Sequence, residues 1–339
     1  MKKGLFLFGA MASSLFPLQV THAADKGEVV VYCSTGEQWC RVMTEAFERE
    51  TGIHVLMTRR SSGETYAQLR AESNQPRADI WWGGTGDPHL QAAQENLTVK
   101  YQSDKLSQLQ DWAVRQAKSS DYKTVGIYAG ALGFGYNSDL IRDQAPRCWQ
   151  DLLDSKYESD IQVANPNSSG TAYTMLATMV QLFGEDQAFD YLKKLHGNIN
   201  QYTKSGSAPI RAAATGETAV GIVFMHDAVA QAAQGAPIVT VSPCEGTGYE
   251  IGSMSMVKGG PNPENAKKWY DWALSAEAQS LAGQAQSYQV PSNKNATVPA
   301  LAPKLADIKL IDYDFKRYGS AEVRSALLKR WDNEIGSLR

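Results

Sequence analysis

The stretch Asn165-Pro166-Asn167-Ser168-Ser169-Gly170-Thr171 has the residue types and order of an anion-binding turn. It follows a short apolar run, Ile161 to Ala164, and opens a segment where Met175, Leu176, Met179, Val180 and Phe183 recur at helical spacing. The first turn of such a helix leaves backbone N–H groups unpaired, and the aligned peptide dipoles add partial positive charge there. Ser168, Ser169 and Thr171 contribute hydroxyl donors, and Gly170 lets an oxyanion approach the backbone. An ordinary helix cap uses the same residues, so the turn takes its meaning from its surroundings. A second apolar strand, Ala219 to Phe224, delivers the ionisable pair His226-Asp227 at its end.

The rest of the chain limits what such groups serve. Lys2 and Lys3 precede an apolar stretch, Leu5 to Val20, and Thr21-His22-Ala23 forms a small-residue cleavage site. Residues 1–23 therefore read as a secretory signal, too short for a membrane span. The remaining 316 residues suffice for two lobes with separate cores. The formal charge is −3, or −5 without Lys2 and Lys3, which excludes a nucleic-acid footprint. Export favours disulfides among the four cysteines. Of three possible pairings, Cys33 with Cys40 and Cys148 with Cys244 is preferred, the first clipping a loop just after a strand. Zinc is the rival, but a lone C-x6-C without a matching His pair is poor zinc spacing.

Strand, polar loop and helix alternate from Glu28 onward. The strands Glu28 to Tyr32, His54 to Thr58 and Asp79 to Trp82 end in Ser34 to Glu37, Ser61 to Gly63 and Gly83 to Gly86. This is an α/β pattern with a mainly parallel sheet, and ligands of such sheets sit beyond the strands' carboxyl ends. Thr124 to Tyr136 reads as a strand passing between lobes, and Ile251 to Val257 as a second crossing, which together imply a hinge. One helix is expected over Asn262 to Ala282, with further helix in the Tyr313 to Ile335 region.

Several segments, in order and spacing over nearly all of the mature chain, resemble the periplasmic substrate-binding proteins of ABC importers, in the branch related to ferric-ion-binding proteins. They are Trp149-Gln150-Asp151-Leu152-Leu153, the anion turn, Ala214-Thr215-Gly216-Glu217-Thr218-Ala219-Val220-Gly221, Cys244-Glu245-Gly246-Thr247, Asn262-Pro263-Glu264-Asn265-Ala266 and Ser275-Ala276-Glu277-Ala278-Gln279 with Pro291. The resemblance implies a two-lobed periplasmic-binding-protein fold of type II, α/β, with two mixed sheets and a hinge of two crossover strands. Lobe 1 is expected over 24–125 with about 247–287 returning to it. Lobe 2 is expected over 126–246, with the helices of about 288–339 packed on it. The implied partners are a small ligand in the interlobe cleft and the permease and ATPase at the inner membrane, with the protein a monomer in the periplasm.

Iron-binding members of the branch place two adjacent tyrosines after the strand that here runs Ala219 to Phe224; this chain has His226-Asp227 instead. Other members resemble carriers of phosphorylated small molecules, and His226-Asp227 with Glu250 resembles those that take hexose phosphates. On that reading Ser168, Ser169, Gly170, Thr171 and Ser207 hold phosphate. His226, Asp227 and Glu250 read sugar hydroxyls at the far end of the cleft, since carboxylates beside a phosphate would repel it. Ser34, Thr35 and Thr85 add donors from the first lobe, and Trp82 is a candidate wall for the sugar face. Neither a cofactor nor a metal is expected. Aminoethylphosphonate is the rival ligand, because a carboxylate pair also suits ammonium, and ferric ion is a further alternative. A phosphate-ester hydrolase using His226 and Asp227 is a remote one: no nucleophile sits in a recognisable elbow, so an enzyme is not expected.

Overall fold

The computed structural model describes Met1 and residues 27–338; beyond Met1, the expected signal segment lies outside them. The chain runs β1 Glu28–Cys33, β2 His54–Arg59, β3 Ile80–Trp82 and β4 Thr98–Val99, then the long β5 Val125–Asn137. It continues through β6 Ile161–Ala164, β7 Ile199–Thr203, β8 Val220–Phe224, β9 Ile238–Val241, β10 Tyr249–Val257 and β11 Val290–Pro291. The strand order is β2-β1-β3-β10-β5-β8-β6-β7, with β4 on β10 and both β9 and β11 on β5.

This path holds two parallel groups joined through two strands, β10 and β5, whose pairings with each other and with β3 and β8 are antiparallel. β1 pairs in parallel with β2 and β3, and β6 with β7 and β8. The first part of β5 pairs with β10, and the part from Leu132 to Asn137 pairs with β8 and β9. One strand thus belongs to both lobes of a type II binding-protein fold. The second crossing is the segment 242–248 between β9 and β10, and the chain crosses again after Pro291.

Each lobe has its own core. In the first, alternating Val29 and Val31 meet Met43 and Phe47 from the helix Glu37–Thr51, with Trp269 from the returning segment. In the second, Phe134, Trp149, Tyr173, Met179 and Phe189 pack with Tyr313, Tyr318 and Trp331 from the C-terminal segment. The expected Asn262 to Ala282 helix is instead two, Pro263–Ala273 and Ala276–Ser280. Ser275 accepts a hydrogen bond from Ala278 N at 3.1 Å and starts the second as a new N-cap.

The disulfides are Cys33–Cys40 and Cys148–Cys244. The first ties the end of β1 to the first turns of Glu37–Thr51, bracketing Ser34 to Gly36; the second ties lobe 2 to the segment leading into β10. The lobes are in contact across their interface. Gly63 N donates to Ser168 O at 3.0 Å, Arg59 Nη2 to Ser205 Oγ at 3.3 Å, and Arg324 Nη1 to Gln91 Oε1 at 2.9 Å.

Candidate ligand-binding site

Six helices start at one cleft. The N-caps Gly36, Ser61, Thr85, Ser169, Ser207 and Phe224 all line it. They follow the carboxyl ends of β1, β2, β3, β6, β7 and β8, as parallel strand–helix units require. Each start aims unpaired N–H groups and a partial positive charge at the same space. The empty space of the cleft, open solvent at its mouth included, is about 450 Å3.

One pole of the cleft holds hydroxyls and backbone amides. Ser169 caps the helix Gly170–Phe183, its Oγ accepting from Ala172 N at 3.5 Å. Thr171 and Ser207 lie beside it, and Gly206 is packed so tightly that a Cβ there would fall 2.1 Å from Thr171 Oγ1. Thr85 of the first lobe covers this turn, and a Cβ on Gly170 would meet Thr85 Oγ1 at 1.9 Å. Thr85 Oγ1 is itself buried without a hydrogen-bond partner among the described residues. From the first lobe come Ser34, whose Oγ is 2.9 Å from both Thr65 Oγ1 and Trp81 Nε1, and Thr35, whose carbonyl accepts from Arg59 Nε at 3.1 Å.

The other pole lies at the hinge. Glu250 on β10 pairs with Gly130 of β5, and Gln289 immediately precedes β11, which pairs with Ala129. His226 packs under Gly130, where a Cβ would come within 2.5 Å of Nδ1, so the missing side chain makes its room. Its Nε2 is 3.8 Å from Asp227 Oδ2 and 3.9 Å from Glu250 Oε1. Burial lowers the His226 pKa against the pull of Asp227, leaving a neutral imidazole. Burial raises Asp227, opposed by His226, Arg211 and Arg59, and raises Glu250 well above the usual range, with Asp227 and Asp87 adding to the effect. A protonated Glu250 both donates and accepts, which suits a hydroxyl.

Ser34, Thr35, Thr85, Ser169, Gly170, Thr171, Ser207, His226, Asp227 and Glu250 are thus brought to one cleft. Two expected residues are not. Trp82 is buried in the first-lobe core, edge-on to Trp39 at 5.1 Å, and is no cleft wall; Trp81, on the opposite face, bonds Ser34. Ser168 turns its Oγ to the carbonyls of Asn165 and Lys204, and its own carbonyl receives Gly63 N. It joins the lobes rather than facing the cleft. The cleft also contains Arg59, Ser61, Ser62, Tyr128, Phe224 and Gln289, which sequence reasoning left out as site residues. Position at strand ends pointed to Arg59, Ser61 and Ser62, but nothing local marked Tyr128 or Gln289. Gln289 Oε1 is buried without a partner among the described residues.

The sequence profile of the bacterial extracellular solute-binding proteins matches residues 78–317. The chain belongs to that family. Its members bind small solutes and work with an ABC permease and ATPase. AfuA of Actinobacillus pleuropneumoniae, solved with exogenous fructose-6-phosphate bound, is 45% identical, with a TM-score of 0.89 over 92% of this chain and 99% of that one. An uncharacterised protein of Haemophilus influenzae is 44% identical over 94% of each chain. A Salmonella typhimurium protein, provisionally named as 2-aminoethylphosphonate-binding and periplasmic, is 29% identical over 84% of each. Iron-bound HitA of Pseudomonas aeruginosa, 18% identical with a TM-score of 0.74 over 89% of this chain and 98% of that one, shares the fold. The protein is a solute-binding component of an ABC importer, in the ferric-binding-protein-like branch.

Proposed function

We propose that the protein captures a hexose-6-phosphate such as glucose-6-phosphate in the periplasm and delivers it to an inner-membrane permease. The observation that carries this reading is the division of one cleft into two poles. Hydroxyls and helix starts at Ser169 to Thr171 suit a phosphate, and the buried His226 and Glu250 with the partly exposed Asp227 at the hinge suit hydroxyls. Phosphate docks on the lobe 2 turn, the first lobe closes with Thr85, Ser34 and Thr35, and the hinge pole reads the ring. Closure follows because the ligand makes contacts in the closed state that the open state lacks. The 45% identity to AfuA, solved with fructose-6-phosphate, supports the ligand class.

Aminoethylphosphonate is the second reading, supported by the Salmonella relative. It uses the same phosphate pole but needs ionised carboxylates around an ammonium, whereas burial drives Glu250 toward its neutral form. Ferric ion finds little support: the tyrosine in the cleft, Tyr128, has its hydroxyl engaged by Gly84 N at 2.8 Å. Hydrolysis would need a nucleophile activated by His226, whose close polar neighbours are carboxyls; the protein acts as a carrier. A thermal-shift panel with glucose-6-phosphate, glucose, 2-aminoethylphosphonate and ferric citrate tests the reading. Stabilisation by the sugar phosphate is expected, and stabilisation by the phosphonate or iron alone would overturn it.

A further inference from the structure

Two arginines from opposite lobes flank the serines of the phosphate pole. Arg59 ends β2 in the first lobe and lines the cleft. Arg211 lies on the second-lobe helix Ala208–Thr215. Arg59 Nη2 donates to Ser205 Oγ at 3.3 Å, Ser205 Oγ is 3.4 Å from Ser207 Oγ, and Arg211 Nη1 donates to Ser207 Oγ at 2.7 Å. Two hydroxyls thus bridge two guanidiniums across the interlobe gap. Among the described residues neither arginine has a carboxylate oxygen within 4.0 Å. The Arg59 pKa is lowered by burial first and by Arg211 second, opposed by Glu64, Asp227 and Glu37.

We propose that Arg59 and Arg211 form a charge-sensing pair that makes lobe closure conditional on a dianionic group in the cleft. In the empty protein, closure brings the two cations together beside six helix N-termini, so like charges oppose it. A phosphate dianion between them converts that repulsion into attraction and adds charge-assisted hydrogen bonds. A neutral sugar with the same hydroxyls engages the hinge pole but leaves the repulsion in place. The permease is thereby presented with a closed protein only when the cargo is phosphorylated. The pair sets specificity through the conformational equilibrium as well as through contact.

This inference rests on the phosphate reading, and the experiment separates the two. Small-angle scattering on the mature chain, with and without glucose-6-phosphate, is combined with calorimetry on wild type, Arg59→Gln, Arg211→Gln and the double variant, each checked for fold by circular dichroism. Each single change is expected to weaken glucose-6-phosphate binding roughly tenfold and to flatten its salt dependence. The unliganded double variant is expected to be more compact than unliganded wild type at low salt. That difference should vanish at high salt, where the Debye length falls to about 3 Å near 1 M. If Arg59 merely clamps the closed state through Ser205, the double variant will instead be more open, and the inference fails. Wild-type affinity and salt slope in the double variant would overturn it while leaving the phosphate reading standing. Wild type that binds no phosphate ester would overturn both.

Discussion

The two ends of the cleft solve opposite problems. At the lobe 2 turn, polarity comes from backbone amides, hydroxyls and the nearby Arg59 and Arg211 guanidiniums. At the hinge it comes from ionisable groups, His226 and Glu250 buried and Asp227 partly so, on which desolvation is the largest influence: His226 toward neutral, Asp227 and Glu250 toward protonated. A full negative charge is met by many fixed partial positive ones, and neutral hydroxyls by groups whose charge has been suppressed. Placing the two kinds at opposite ends of one cleft selects for length as well as chemistry.

The comparison breaks most completely where the lobes touch. In Gly170→Val the new side chain collides with Thr85 across the cleft. Calorimetry should find binding reduced by about a thousandfold or more, the loss of several close contacts at roughly 1–1.5 kcal/mol each, with an unchanged melting profile. Next, Asp227→Ala and Glu250→Ala should each weaken glucose-6-phosphate binding by roughly 10–100-fold, from a lost buried hydrogen-bond partner at about 1–3 kcal/mol. The residual affinity should then resemble that for inorganic phosphate, since only the hinge pole has been removed. Gln289→Ala should cost about 1 kcal/mol of binding, because its orphaned Oε1 gains a partner only from a ligand; equal affinity for wild type and variant would remove Gln289 from the site.

The last effect leaves the cleft untouched and concerns the buried interlobe contact behind it. Asp87 is pushed up to about 7 by burial, against Arg324 and the Tyr313 hydroxyl 3.2 Å away. The folded protein keeps that proton up to about pH 7, whereas the unfolded chain releases it near 3.8. The stabilisation is therefore fully present below pH 3.8 and lost as pH rises through 7. Melting temperatures should show this fall in wild type and a flatter profile in Asp87→Asn.

Much of this was legible in the sequence. The strand–loop–helix rhythm marked β1, β2 and β3 with their polar ends, and Ser169-Gly170-Thr171 and His226-Asp227 lie where their strand ends placed them. What was hidden depends on three dimensions. Trp81 and Trp82 alternate in the sequence, but only packing decides that Trp82 faces Trp39 while Trp81 bonds Ser34. Ser168 has the composition of an anion ligand, yet its carbonyl is taken by Gly63 of the other lobe. Gln289 immediately precedes β11 and Tyr128 lies on β5, and the meeting of those strands at the hinge is a long-range pairing with no local signature. Arg59 stands at a strand end, but only the fold brings Ser205 of the second lobe beside it.

The most direct test of the two-pole cleft is parallel calorimetric titration of the mature protein with glucose-6-phosphate, glucose and inorganic phosphate. The sugar phosphate should bind far more tightly than either fragment, because only it spans both poles and holds the lobes closed. If inorganic phosphate binds as tightly as glucose-6-phosphate, the hinge pole reads nothing, and the account is contradicted.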